Sequence, residues 1–338
     1  MKFLFLYTRL TGYWLSCVNK LHQEIPGSVS VIVRQKRSNE APFEFKPEMD
    51  IKILELDHSL SEIELINFNP DIVYVAGWGN PFYNKLAKKY RDQNIPVVCG
   101  MDNHWLGTLR QRIGCFLAPL IIHNKFSHIW VPGLLQYSFA QRLGFKTNQI
   151  LKNLYVADSN STVTSPVFQK RFLFFGRLVD HKGVDVLLKA YSDLRESGCD
   201  WNLEFIGNGP FEDQIKASEG CTIRPFMQPD KLREELKKGG VFILPSKYEA
   251  WGVAIQEAAL SGMPIIGTHE SGATTQFLIN GYNGFKIHGS DANNLFKAMK
   301  KISCLKDNEL NLMAQRSLSL GKTITPELWV NELLSVIK

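Results

Sequence analysis

Six short apolar runs recur at near-regular intervals through the second half of the chain. They cover 172–175, 203–206, 221–223, 241–244, 264–267 and 284–287, and their starts lie 31, 18, 20, 23 and 20 residues apart. A run of about four apolar residues suits a strand covered on both faces, and the spacing suits one strand and one helix per repeat. Between the runs, Val184, Leu187, Leu188 and Tyr191 share one helical face, as do Leu295, Met299 and Ile302. The first half repeats the theme. There 3–7, 29–33, 51–54, 72–76, 96–99 and 129–131 are strand candidates, and 80–91 and 134–143 are helix candidates. Such alternation predicts the α/β class with parallel sheets, as two doubly wound Rossmann-like domains. A length of 338 residues fits two domains. The polar stretch 158–165, closed by Pro166, is the linker candidate. A ligand is expected at the carboxyl ends of the strands, in a cleft that the two domains face.

Composition excludes several classes. Hydrophobic residues make up 44% and charged residues 21%, which is globular material, neither disordered nor coiled coil. The opening MKFLFLYTRL has one lysine before a short apolar run that Arg9 interrupts, so it reads as a buried first strand and not as a signal peptide. The longest uncharged apolar run, near 115–122, is far shorter than the ~20 residues of a spanning helix. Cysteines at 17, 99, 115, 199, 221 and 304 form no CxxC and read as reduced core residues of a cytoplasmic protein. No HExxH occurs, and His123 and His128 read as ordinary histidines. No metal site is expected, and the sequon at 160–162 reads as a chance match.

The net charge of +6 is unevenly spread. Residues 1–165 carry 18 basic and 13 acidic side chains, and residues 166–338 carry 21 and 20. A basic half points to an anionic partner or to solubility alone. Nucleic acid is set aside, because no basic run is interleaved with aromatics. In 106–125, Arg110, Arg112 and Lys125 surround Phe116, Leu117, Leu120 and Ile121. That pattern suits either an anionic membrane surface or a core helix with a basic edge.

Two segments carry the chemistry. In FFGRLVDHKGVDVLLKA, residues 174–190, a strand ends at Gly176, Arg177 follows, and Lys182 precedes a helix. A fork of donors and a point charge converging at a strand end suit a diphosphate. Cations at a helix start oppose the dipole, so a local role is needed to explain them. In 241–267, a loop holds Glu249 and Gly252, a helix opens at Val253, and Glu257 falls in its second turn. Gly252 permits close approach of a ligand, and the helix start favours phosphate. Glu257, set among small apolar residues, can accept from two ribose hydroxyls. The turn Gly207-Asn208-Gly209 lacks the third glycine of a dinucleotide fingerprint, so a dehydrogenase is not indicated.

Taken together and in order over 171–290, these segments resemble the retaining glycosyltransferases of family 4, the glycosyl transferases group 1, which have the GT-B fold. The resemblance implies that Arg177 and Lys182 hold the donor diphosphate, that Glu257 binds the ribose and that Glu249 faces the donor sugar. It also implies that 224–227 lies by the base, with Phe226 in contact. The segment 325–329 resembles the family's final helix, which returns to the first domain. The implied domains are 1–160 on the acceptor side, 161–320 for the nucleotide sugar, and 321–338 for the returning helix. Three positions depart from the family pattern. Gly12 stands alone where a glycine pair is common, Asp102 stands where a histidine is usual with His104 two residues later, and Gln276 replaces a glutamate.

The expected reaction moves a hexose from a UDP- or GDP-sugar to an acceptor hydroxyl, without metal or cofactor, in glycan, lipopolysaccharide or glycolipid synthesis. The expected catalytic set is Arg177, Lys182, Glu249, Asp102 and His104. The expected donor-binding set is Gly12, Gly176, Arg177, Lys182, Gly207, Phe226, Glu249, Gly252, Val253 and Glu257. A lipid-linked acceptor would place the protein at the inner face of a membrane, with 106–125 in contact. Two alternatives are a non-catalytic glycosyltransferase-like binding subunit and a nucleotide-sugar epimerase.

Overall fold

The structure, a computed structural model, describes residues 1–35, 43–45, 47, 50–57, 60–158, 163, 165–166, 168–289 and 291–337. The sequon at 160–162 and much of the expected linker lie outside the described residues. The chain divides into two units, Met1–Val156 with Thr325–Lys338, and Ala157–Ile324. The divisions expected at 160 and 320 thus fall at 156 and 324.

In the first unit, β1 (Lys2–Tyr7), β2 (Val29–Arg34), β3 (Ile51–Glu55), β4 (Ile72–Val75), β5 (Val97–Gly100), β6 (His128–Trp130) and β7 (Ile150–Leu151) form one parallel sheet. Its order is β3-β2-β1-β4-β5-β6-β7, so the winding reverses between β1 and β4. The central strands are almost wholly apolar because helices cover both faces. Those helices are α1 (Gly12–Glu24), α2 (Glu62–Phe68), α3 (Pro81–Asp92), α4 (Leu109–Ile121) and α5 (Leu134–Arg142). Side-chain caps start several of them. Ser61 accepts from the Ile63 amide at 3.2 Å, and Asn80 accepts from the Tyr83 amide at 3.1 Å ahead of Pro81.

In the second unit, β8 (Arg171–Phe175), β9 (Asn202–Ile206), β10 (Cys221–Arg224), β11 (Val241–Leu244), β12 (Ile265–Thr268) and β13 (Gly284–Ile287) form a parallel sheet. The order β10-β9-β8-β11-β12-β13 repeats the winding of the first unit, and the reversal falls between β8 and β11. The connecting helices are α6 (Val184–Glu196), α7 (Glu212–Lys216), α8 (Pro229–Leu236), α9 (Val253–Leu260), α10 (Thr274–Phe277), α11 (Ala292–Ser303) and α12 (Asp307–Gly321). The stripes read from the sequence are the buried faces of α6 and α11.

The last helix, α13 (Pro326–Leu334), belongs to the first unit. Thr325 caps it, accepting from the Leu328 amide at 3.3 Å. Trp329 is fully buried, with ring centroids 5.1 Å from Trp14 and 4.8 Å from Trp130, and its indole donates to the Leu154 carbonyl at 3.2 Å. A Lys20–Glu327 ion pair at 2.8 Å adds a tie to α1.

Two expectations need correction. Cys17 and Cys99 are buried, but Cys304 is exposed, because it caps the end of α11 and turns away from the core. The reading of 106–125 as a core helix also fails. Of α4, only Ala118 is buried, since Leu109, Ile113, Phe116, Leu120 and Ile121 are exposed.

Candidate functional site

The second unit gathers its predicted residues at the carboxyl end of the sheet, around the reversal between β8 and β11. This is where doubly wound folds place ligands, because neighbouring connections leave to opposite faces there. After β8 the chain runs Gly176, Arg177. The Gly176 amide donates to the Ile206 carbonyl at 2.9 Å. Gly207, with φ of +146°, lies so close that a Cβ there would meet the Gly176 carbonyl oxygen at 1.9 Å. Only glycine lets the two strand ends pack this tightly. Arg177 is exposed, and its guanidinium has no acidic partner among the described residues.

Lys182 ends a single 3-10 turn, Asp180–Lys182, ahead of α6. Its ammonium is ion-paired with the Glu249 carboxylate from the loop after β11, and the two side chains are only 15% and 17% exposed. A second stitch joins the same segments: Lys247 reaches Asp180 at 2.6 Å and Asp185 at 3.1 Å. Glu249 is held by its backbone, its amide donating to the Glu270 carbonyl at 3.2 Å. Gly252, with φ of +95°, then turns the chain into α9. The first amides of α9, those of Val253 and Ala254, have no intrahelical acceptor, whereas Ile255 already donates to the Gly252 carbonyl at 3.0 Å, and no acidic side chain competes in that first turn.

Glu257 sits half-buried one turn further along α9. Burial, helped by the nearby Asp158 carboxylate and opposed by Arg233, pushes its pKa up to about 7. Among the described residues no group hydrogen-bonds or ion-pairs its carboxyl. Arg233 is engaged with Asp158 at 2.9 Å. Phe226 is positioned by its backbone, donating to the Asn208 side chain at 2.8 Å. Arg224, at the start of the segment 224–227, is bound to Glu235 at 2.6 Å and Glu204 at 2.8 Å. Arg171 joins the same cluster at 2.9 and 2.7 Å. Burial alone would raise the Glu235 pKa, but hydrogen bonds from Arg224, Lys238 and Arg171 outweigh it and hold the carboxyl at about 2.

Gly12, Asp102 and His104 belong to the first unit. Gly12 opens α1, and Asp102 and His104 follow β5. The Tyr155 hydroxyl donates to the Asp102 carboxylate at 3.1 Å, and the side-chain amide of Gln136, through Nε2, donates to the Asp102 backbone carbonyl at 3.0 Å. Burial, reinforced by the Asp102 charge, raises the Tyr155 pKa and keeps that proton in place. Burial also lowers the His104 pKa, favouring the neutral imidazole.

The sequence reading missed Gln256. It is fully buried in α9, beside Glu257. Its oxygen accepts from the Ala157 amide at 2.8 Å, and its nitrogen donates to the Gly321 and Ile324 carbonyls at 3.1 and 2.8 Å. A polar residue amid a small apolar helix was its only sequence signal. Among the described residues, no three His, Cys, Asp or Glu side chains converge as metal ligands. No described helix is long and apolar enough to cross a membrane.

Two parallel Rossmann-like sheets, with cations, helix-start amides and a poised carboxyl at the reversal of the second, define the chain as a GT-B glycosyltransferase fold. Residues 162–316 match the family described as Glycosyl transferases group 1. It is 26% identical over 173 residues to an uncharacterized glycosyltransferase of Haemophilus influenzae, covering 48% of this chain and 47% of that protein. It is 28% identical over 242 residues to sulfoquinovosyl transferase SQD2 of Arabidopsis thaliana, covering 62% and 44%. The chain thus spans about half the length of the curated relatives it matches. Among solved structures, Anabaena Alr3699/HepE in complex with UDP shares the fold with a TM-score of 0.73 at 14% identity, over 98% of this chain and 97% of that one.

Proposed function

We propose that this protein transfers a hexose from a UDP- or GDP-sugar to an acceptor hydroxyl, with retention of anomeric configuration and without a metal. The observation that carries this reading is the Lys182–Glu249 pair at the β8/β11 reversal, next to Arg177 and the start of α9. An ammonium already fixed in a mostly buried position needs little reorganisation when charge develops on a leaving diphosphate.

In the proposed complex, Arg177 and Lys182 hold the diphosphate, and the amides at Gly252 and Val253 add uncharged donors. Glu249 orients Lys182 and faces the donor sugar. The Glu257 carboxylate accepts from two ribose hydroxyls, and Phe226 lies along the base. The bond from the sugar's anomeric carbon to the phosphate oxygen breaks, and a bond to the acceptor oxygen forms on the same face. The acceptor proton leaves with the nucleoside diphosphate or to solvent. Asp102 and the neutral His104 serve the acceptor side. The acceptor is a growing glycan, a lipopolysaccharide or a glycolipid, met in the cytoplasm at the inner face of a membrane. The UDP named with the Anabaena neighbour agrees with a uridine donor.

The test is a panel of UDP- and GDP-hexoses offered to purified protein, with release of nucleoside diphosphate as the readout and NMR of the product anomer. Acceptor-dependent release from one donor is expected. Interconversion of donor sugars without an acceptor would instead identify an epimerase. Binding without turnover would identify a non-catalytic subunit.

A further inference from the structure

Leu109, Ile113, Phe116 and Leu120 recur along α4 at spacings of four, three and four, so they share a narrow strip of the helix surface. They are 72%, 51%, 83% and 74% exposed. Ala118, the residue α4 buries, lies on the opposite side. The helix therefore turns its small side to the protein and its large apolar side to solvent. A contiguous strip of this kind marks a binding surface, since isolated exposed leucines are common but aligned ones are not.

Charge narrows the occupant. On the helical wheel Arg110 and Arg112 flank the strip, one on each side. Both sit at the start of α4, where the dipole disfavours cations, and no acidic residue in that turn offsets them. Arg112 is steadied by donating to the Gly107 carbonyl at 3.1 Å. Lys125 lies beyond the other end of the helix. From 103 to 157 the chain holds six Lys or Arg residues and not one Asp or Glu. An anionic bilayer matches both features. The apolar strip enters the acyl boundary along its whole length, and the long basic side chains reach back to lipid phosphates.

We propose that α4 is a docking helix that lies in the interface of an anionic bilayer, with Leu109, Ile113, Phe116 and Leu120 immersed and Arg110, Arg112 and Lys125 on the headgroups. Docking gives a lipid-linked acceptor its physical setting, and to that extent it rests on the proposed reaction; the geometry of α4 does not.

The test is co-sedimentation of the full chain with vesicles, either phosphatidylcholine alone or equal parts phosphatidylcholine and phosphatidylglycerol. Binding to the mixed vesicles is expected, weakening as salt is added. The double variant Phe116→Ser/Leu120→Ser should bind at least about tenfold more weakly, and Arg110→Ala/Arg112→Ala weaker by about tenfold or more. All four side chains are exposed, so unchanged thermal unfolding should accompany each loss. No binding to mixed vesicles at low salt would overturn the proposal. So would binding that the Phe116/Leu120 variant retains, or a dimer in solution that this variant dissolves. Turnover of a soluble acceptor without vesicles reports on the transferase separately, so either reading can fail alone.

Discussion

The ammonium of Lys182 and the carboxylate of Glu249 are ion-paired across the loops that leave β8 and β11, the two strands between which the second sheet reverses. Each charge fixes the other in a mostly buried place, so the pair acts as one unit. Lys182→Ala should lower kcat/KM for the sugar donor about a hundredfold or more, roughly 3 kcal/mol of barrier. Glu249→Gln should cost at least tenfold, and the double variant little more than Lys182→Ala alone. Steady-state release of nucleoside diphosphate measures this. Near wild-type turnover by Lys182→Ala would refute the donor site.

Glu257 gives a pH signature. Its pKa in the folded protein is pushed to about 7, from a usual value of 4.5. Between these values the folded state holds a proton that the unfolded state has lost, so this group's contribution to stability falls as pH rises through that window. Glu257→Gln removes the effect. Relative to wild type, the variant should gain on the order of 2–3 kcal/mol on going from pH 5 to pH 8. Urea denaturation at the two pH values decides it, and an equal difference at both would show that Glu257 ionises normally. The same variant should bind nucleoside diphosphate more weakly at pH 8.

Gly207 lies where the ends of β8 and β9 touch backbone to backbone. Gly207→Ala brings a methyl group within 1.9 Å of the Gly176 carbonyl oxygen, at a φ that alanine rarely adopts. A loss of about 2–4 kcal/mol is expected, seen as a lowered melting temperature. Arg177, directly after Gly176, would be displaced with it, so donor binding should weaken as well. A variant that melts like wild type would mean that the two strand ends separate easily.

Gln256→Leu keeps the volume but strands three backbone groups, the Ala157 amide and the Gly321 and Ile324 carbonyls. About 2–4 kcal/mol should be lost. Hydrogen exchange should quicken at Ala157 if the side chain is what protects it, and unchanged protection there would refute that role.

Much of this was legible because the information is local. The strands of the second unit were read from continuous apolar runs, which a strand covered on both faces requires. Arg177, Lys182 and Glu249 stood out as charges at strand ends. The strand β7 escaped because two residues, Ile150 and Leu151, make no pattern. The helix α1 escaped because it opens on Gly12 with no side-chain cap from Thr11. The surroundings that shift the Glu257 pKa and the role of Gln256 were hidden for another reason. Arg233 meets Asp158 across 75 residues of chain, and Gln256 meets Ala157 across 99. Such pairings are set by tertiary packing, and no spacing in the sequence announces them. The outward face of α4 is similar: its composition was visible, but its direction depends on what it packs against.

The hydrogen bonds of Gln256 bring the first residue of the second unit, Ala157, and the last, Ile324, onto a single side chain. In the linear order of the chain, that unit is an insertion into the first, whose remaining piece is Thr325–Lys338. A segment that begins and ends at one point is a self-contained cassette, open to grafting or circular permutation. Its host is not so modular. Cutting the chain after Ile324 would remove Trp329 from between Trp14 and Trp130, leaving the second unit whole and the first with a hole in its core.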